Sequence, residues 1–151
     1  GLREAVQDDY LAHRIGQVQF LAEELEKRDI PIYKPIGGHA VFVDTTRFFV
    51  DDRLELPGQS LAVALYLEGG IRSCDIGSGM FSNTDETYQG AGLHLELLRL
   101  AIPRRTYTES HLRYVADVFA ELNLHKAKVP YLRCTYMPEF LGHFQAKFEQ
   151  V

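Results

Sequence analysis

The chain has 151 residues, of which 46% are hydrophobic and 25% charged, with a formal net charge of −5. These proportions suit one globular domain with a real core, and they exclude intrinsic disorder, a collagen and a coiled-coil rod. The acidic balance and the lack of a Lys/Arg cluster argue against nucleic-acid binding. Against a membrane span, the longest charge-free stretch, Leu56 to Leu67, carries Pro57, Gln59 and Ser60 and falls short of roughly 20 apolar residues.

The chain opens GLREAVQDDY, with no initiator Met and no capping residue before the first helical turn. That opening reads as a piece of something longer. Residues 2 to 28 predict one helix, with Leu11, Ile15, Val18, Ala22 and Leu25 as its apolar stripe and Glu23, Glu24, Glu26, Lys27 and Arg28 on a solvated face. Pro31 and Pro35 end it, and HAVFVD, from His39 to Asp44, predicts a short strand. Phe48 to Leu56 reads as an irregular connection.

Pro57 opens a second predicted helix carrying Leu61, Ala62, Leu65 and Leu67, which Gly69-Gly70 closes. Ile71 to Ile76 predicts a strand. Gly77 to Gly92 lacks periodicity and reads as a loop of the length that often serves function. The nearly continuous apolar run from Leu95 to Pro103 predicts a strand covered on both faces. Thr108 suits a helix N-cap, with Thr106 and Glu109 as an alternative capping box, and Leu112, Val115, Ala116, Phe119 and Leu122 make the buried stripe that follows. Tyr131 to Met137 predicts a strand, and Pro138 starts a last helix with Phe140, Leu141, Phe144 and Phe148 at helical spacing. The expected fold class is α+β, α/β-like, with helices packed on a small sheet of three to five strands in a single domain spanning residues 1–151.

Arg99 is the most informative residue for chemistry. It shares a strand face with Leu95, Leu97 and Ala101. A guanidinium among such neighbours needs an anion, and its planar fork suits a carboxylate. That anion is either a substrate carboxylate or an internal partner such as Asp75, Glu96 or Asp44, and the residues alone leave both open. Ile76, read by itself, is a core residue. A lone helical histidine such as His143 is more often a surface or packing residue than a catalytic one.

No HxH, HExxH or Cys/His cluster points to zinc, no serine sits in GxSxG, and the 77–92 loop lacks the order of a phosphate loop. Cys74 and Cys134 lie in predicted strands, where packed thiols are expected, and two cysteines suggest a reducing compartment. The first thirty residues are too highly charged for a secretory leader, so the expected location is cytoplasmic.

Five strings in register, GLREAVQDDYLAHRIGQVQFLAEEL, IPIYKPIGGHAVFVD, GIRSCDIGS, LELLRLAIPRRTYT and FLGHFQAKFEQV, resemble the C-terminal part of the β-eliminating lyases. This is the family of tryptophanases and tyrosine phenol-lyases, pyridoxal-phosphate enzymes of the aspartate-aminotransferase fold type. The resemblance runs from Gly1 to Val151. It implies that Arg99, in LLRLAIPR, grips the substrate α-carboxylate. Ile76, in CDIGS, falls where a tyrosine-cleaving member carries an arginine for the phenol hydroxyl, and so implies an indole side. His143, in GHF, follows the tryptophan-cleaving pattern at the same end. The loop FSNTDETYQ departs from the family's usual charged turn.

The resemblance further implies a parent that converts L-tryptophan and water to indole, pyruvate and ammonia. That parent would use pyridoxal 5′-phosphate and a monovalent cation such as potassium, as a homotetramer. No segment here matches the Schiff-base lysine, the ring-stacking aromatic, the phosphate loop or the cation ligands. The chain by itself is therefore expected to be inactive, and its job to be closing over the active site. A tyrosine-cleaving or other β-eliminating lyase, and a stand-alone binding module, are the alternatives. Separation from a large domain predicts an exposed apolar patch or self-association.

Overall fold

In the computed structural model, which describes residues 1–49, 54–81 and 95–151, the predicted first helix is two. α1 (Leu2–Ala5) stops at Val6, and α2 (Asp8–Glu26) starts after an extended Gln7. No side chain caps either start. Val18, Ala22 and Leu25 are buried as the stripe predicts, whereas Leu11 and Ile15 lie near the surface.

β1 (Ala40–Asp44) leads directly into a short α3 (Thr45–Phe49), so Phe48 and Phe49 are helical rather than part of an irregular connection. α4 (Pro57–Gly69) has proline in its first turn and ends at Gly70 with φ +64°, the left-handed cap that glycine adopts without strain. The strand expected over 71–76 shortens to β2 (Cys74–Ile76). The expected loop after it begins with α5 (Ser78–Phe81), and its remainder, 82–92, lies outside the described residues.

β3 (Leu97–Ala101) precedes α6 (Glu109–Leu124). Thr108 caps α6 in a reciprocal box with His111, not with a helix starting earlier. A single 3-10 turn, Lys126–Lys128, then leads to β4 (Leu132–Tyr136). The predicted last helix is not formed. Its sequence instead gives one short turn, α7 (Gly142–Gln145), and a strand, β5 (Lys147–Gln150), that pairs antiparallel with β4.

The described strands form a three-stranded antiparallel sheet in the order β1-β3-β2 and the β4-β5 ribbon. The main sheet has one core face. Val41, Val43 and Leu98 are fully buried there, against Val18, Leu25, Leu61, Leu65 and Phe119 from α2, α4 and α6. Burial of these side chains, each worth about 1.5–3 kcal/mol, drives the packing.

A second tie joins α2 to α6. Glu24, expected on a solvated face, is buried with 4% of its side chain exposed. Its carboxylate accepts from Lys27 Nζ at 2.8 Å, Arg28 Nη1 at 2.8 Å and Arg113 Nη1 at 3.0 Å. Arg28 continues to Asp117 Oδ1 at 2.5 Å.

Candidate functional site

The other face of the three-stranded sheet takes no part in the core cluster of the described residues. Cross-strand register places side chains on it in rows. Phe42, Arg99 and Cys74 form one row, and Asp44, Leu97 and Ile76 the next. β3 was expected to be covered on both faces; its core face is buried, and on the other Leu97 is buried, Arg99 half-buried and Ala101 exposed. α4, between β1 and β2, and α6, after β3, both pack on the core side.

Arg99 has none of the internal partners that its sequence left open. Asp75 is in the adjacent register row, hence on the core face, with its carboxylate against Gly58 at the start of α4. Asp44 Oδ1 accepts from Thr46 Oγ1 at 2.7 Å and from the Arg47 amide at 3.1 Å. Glu96 Oε1 accepts from the Ser78 amide at 2.9 Å and from the Ser78 hydroxyl. Among the described residues Arg99 makes no ion pair, and its Nε is buried with no hydrogen-bond partner. A buried donor left unmade costs about 1–3 kcal/mol, and here that cost falls on the Nε of a half-buried side chain.

Ile76 is half-buried at the end of β2, and the turn after it is pinned. The Thr45 amide and hydroxyl both donate to the Glu96 carbonyl, at 2.9 and 2.7 Å, and the Glu96 side chain holds Ser78. Gly77 lies so close beneath that carboxylate that a Cβ there would sit 2.4 Å from Glu96 Oε2. Glu96 thus anchors the turn that sets the direction of Ile76. Sequence reading missed this role. The one available signal was the Gly77-Ser78 pair following the strand.

His143 sits on α7, exposed, with its ring 4.0 Å from that of Phe144. α7 packs against α5, the element immediately after the Ile76 turn. The structure therefore brings Arg99 and Ile76 together on one face and sets His143 on a neighbouring element, with no hydrogen bond, ion pair or ring contact to either. Cys74 and Cys134 are both free and half-buried, and Cys74 flanks Arg99 on the face opposite the core.

The lysines do not suit a covalent cofactor at this face. Lys27 and Lys34 are paired with Glu24 and Glu26, Lys126 donates to the Phe48 carbonyl at 2.6 Å, Lys147 lies over the Tyr136 ring, and Lys128 belongs to the 3-10 turn. None lies on the three-stranded sheet, so these residues do not by themselves fit a pyridoxal-phosphate holder. Among the described residues no group of three His, Cys, Asp or Glu side chains could hold a metal ion, and no helix is long and apolar enough to cross a membrane.

The described residues form an α+β domain in which Arg99, without an ion pair among them, lies half-buried on one face of the three-stranded sheet. The family model described as "Beta-eliminating lyase" matches residues 5–118, and the chain belongs to that family. It is 42% identical over 152 residues to a tryptophanase of Rhodobacter capsulatus, covering 100% of this chain and 33% of that protein. It is 43% identical over 153 residues to a tyrosine phenol-lyase of Clostridium tetani, covering 99% of this chain and 33% of that protein. A probable tryptophanase of Aeropyrum pernix is 44% identical over 155 residues, with 100% and 33% covered. The chain spans about a third of the length of these curated relatives. Relatives of both names match at nearly equal identity, so overall identity does not separate tryptophan from tyrosine.

Proposed function

We propose that residues 1–151 are the single C-terminal domain of a longer, pyridoxal-phosphate-dependent lyase that converts L-tryptophan and water to indole, pyruvate and ammonia. The observation that carries this reading is the buried, partnerless Nε of Arg99 beside Ile76 on the face opposite the core.

In this reading the Arg99 guanidinium takes the substrate α-carboxylate in a two-point grip, fixing the amino acid's orientation. Ile76 offers an apolar wall to the indole and no donor or acceptor for a hydroxyl. His143 shapes the same end from α7. When the domain closes, the covered sheet face excludes water, which strengthens the grip. The cofactor and a monovalent cation such as potassium are held by the rest of the longer protein, a cytoplasmic homotetramer, and this chain alone is inactive.

A second reading keeps the carboxylate grip and makes the substrate tyrosine. It draws support from the relatives named tyrosine phenol-lyase. Steady-state kcat/KM of the longer enzyme on tryptophan, tyrosine, serine and cysteine separates the two. Indole release from tryptophan as the fastest reaction supports the first reading, and a preference for releasing phenol overturns it.

A further inference from the structure

A cleft lies at the end of the three-stranded sheet, lined by His39 ahead of β1 and by Leu100 and Ala101 of β3. It has a volume of about 660 Å³, within the roughly 300–1,000 Å³ common for small-molecule clefts. Leu21 of α2, Leu100 at the end of β3, Ile102 just beyond it and Leu112 of α6 form its apolar wall. Its polar groups are of one sign. Arg14 and Arg72 supply two guanidiniums, with Tyr107 and His111 beside them, and no carboxylate is among the described lining residues.

The Arg14 guanidinium is incompletely satisfied. Nη2 donates to the His39 carbonyl at a long 3.4 Å, while Nη1 is buried with no partner. Arg72 makes no ion pair among the described residues. The Tyr114 hydroxyl donates to the Gly69 carbonyl at 3.2 Å and so ties α6 to the end of α4 at the cleft. Apolar walls exclude a polyanion, which would leave charge against leucine and isoleucine. One-signed polar groups exclude a cation.

We propose that this cleft binds an apolar monocarboxylic acid, with its hydrocarbon against Leu21, Leu100, Ile102 and Leu112 and its carboxylate on Arg14 Nη1. Arg99 is not among the residues that line it. The test is a titration of the 151-residue chain with decanoate, followed by amide NMR shifts and calorimetry. The expected result is saturable, submillimolar binding that shifts Gly69, Gly70, Tyr107 and His111. Arg14→Gln weakens it about tenfold or more, and uncharged decanol binds weaker than decanoate by a similar factor. Arg99→Gln leaves it unchanged.

If Arg14→Gln fails to fold, the wild-type shift map, the decanol comparison and Arg72→Gln decide the question. Shifts confined to other residues, equal affinity for decanol, or a loss that follows Arg99→Gln would each overturn the proposal.

Discussion

Ile76 and Arg99 stand diagonally across the β2–β3 ladder, Ile76 opposite Leu97 and Arg99 opposite Cys74, with all four side chains on the sheet face opposite the core. Diagonal neighbours in such a ladder are about 7–8 Å apart, within one amino-acid substrate's reach of each other. A ligand held by its carboxylate on Arg99 can therefore meet Ile76 with its side chain. An arginine grafted at Ile76 would point into the same space. In the longer enzyme, Ile76→Arg is expected to lower kcat/KM for tryptophan by about tenfold or more and to raise the tyrosine-to-tryptophan ratio. Rates on the two amino acids check it, and an unchanged ratio would remove Ile76 from the substrate side.

That no described residue pairs with Arg99 has a stability consequence. Because Arg99 Nε is buried without a partner, Arg99→Leu removes an unmet donor and adds apolar contact. Urea unfolding is expected to show the variant unchanged or more stable by about 1 kcal/mol. A loss beyond about 2 kcal/mol would mean that Arg99 serves the fold.

Acid stability depends on Glu24. The hydrogen bonds from Lys27 and then Arg28, reinforced by the charge of Arg113, hold its carboxyl down from the usual 4.5 to about 2. A folded-state value below the unfolded one means that this contribution is complete above about pH 4.5 and lost as pH falls through about 2. Unfolding midpoints measured from pH 6 to pH 2 are expected to fall less steeply below pH 4.5 for Glu24→Gln than for wild type. Parallel curves would show that the network is electrostatically idle.

Gly77 has no room for a methyl group, since its Cβ would press on Glu96 Oε2 and lie 3.2 Å from Glu96 Cα. Gly77→Ala is expected to cost about 1–3 kcal/mol of stability, and in the longer enzyme to reduce kcat/KM by releasing the turn that aims Ile76. Glu96→Ala, which opens the space, should restore the stability of Gly77→Ala in the double variant. A fully additive double variant would contradict the contact.

The exposed aromatics bear on association. Phe140 is 77% and Phe144 76% exposed, with Leu141 and Tyr136 nearby in sequence and also exposed. Exposed apolar side chains grouped in this way are a candidate surface for association. Phe140→Ser with Phe144→Ser is expected to reduce self-association of the chain in sedimentation velocity, with stability changed by no more than about 0.5 kcal/mol. An unaltered distribution of species would leave these rings without an interface role.

Much of this fold was legible because local chemistry and burial agree. Pro57 and Gly70 bound α4 where their backbone preferences put them, and Thr108 caps α6. The last helix was misread for a physical reason. Phe140, Phe144 and Phe148 have helical spacing, but the first two find no core to bury against, and so short a helix is marginal without burial. Leu141 turns left-handed with φ +52°, and Phe148 joins a ladder opposite Cys134 instead. Glu24 was misread because its helical position showed charge but not that Arg113 arrives from a distant helix. The pairing of Arg99 with Phe42 and Cys74 is non-local, so the sequence marked Arg99 as needing an anion without showing that its row lies opposite the core.

The central claim is most directly tested by kcat/KM for L-tryptophan in the longer enzyme with Arg99→Ala. Loss of a two-point, charge-assisted grip predicts a fall on the order of 10²–10⁴, with the circular dichroism spectrum and the cofactor absorbance unchanged. A value within about twofold of wild type would contradict the assignment of Arg99 to the substrate carboxylate.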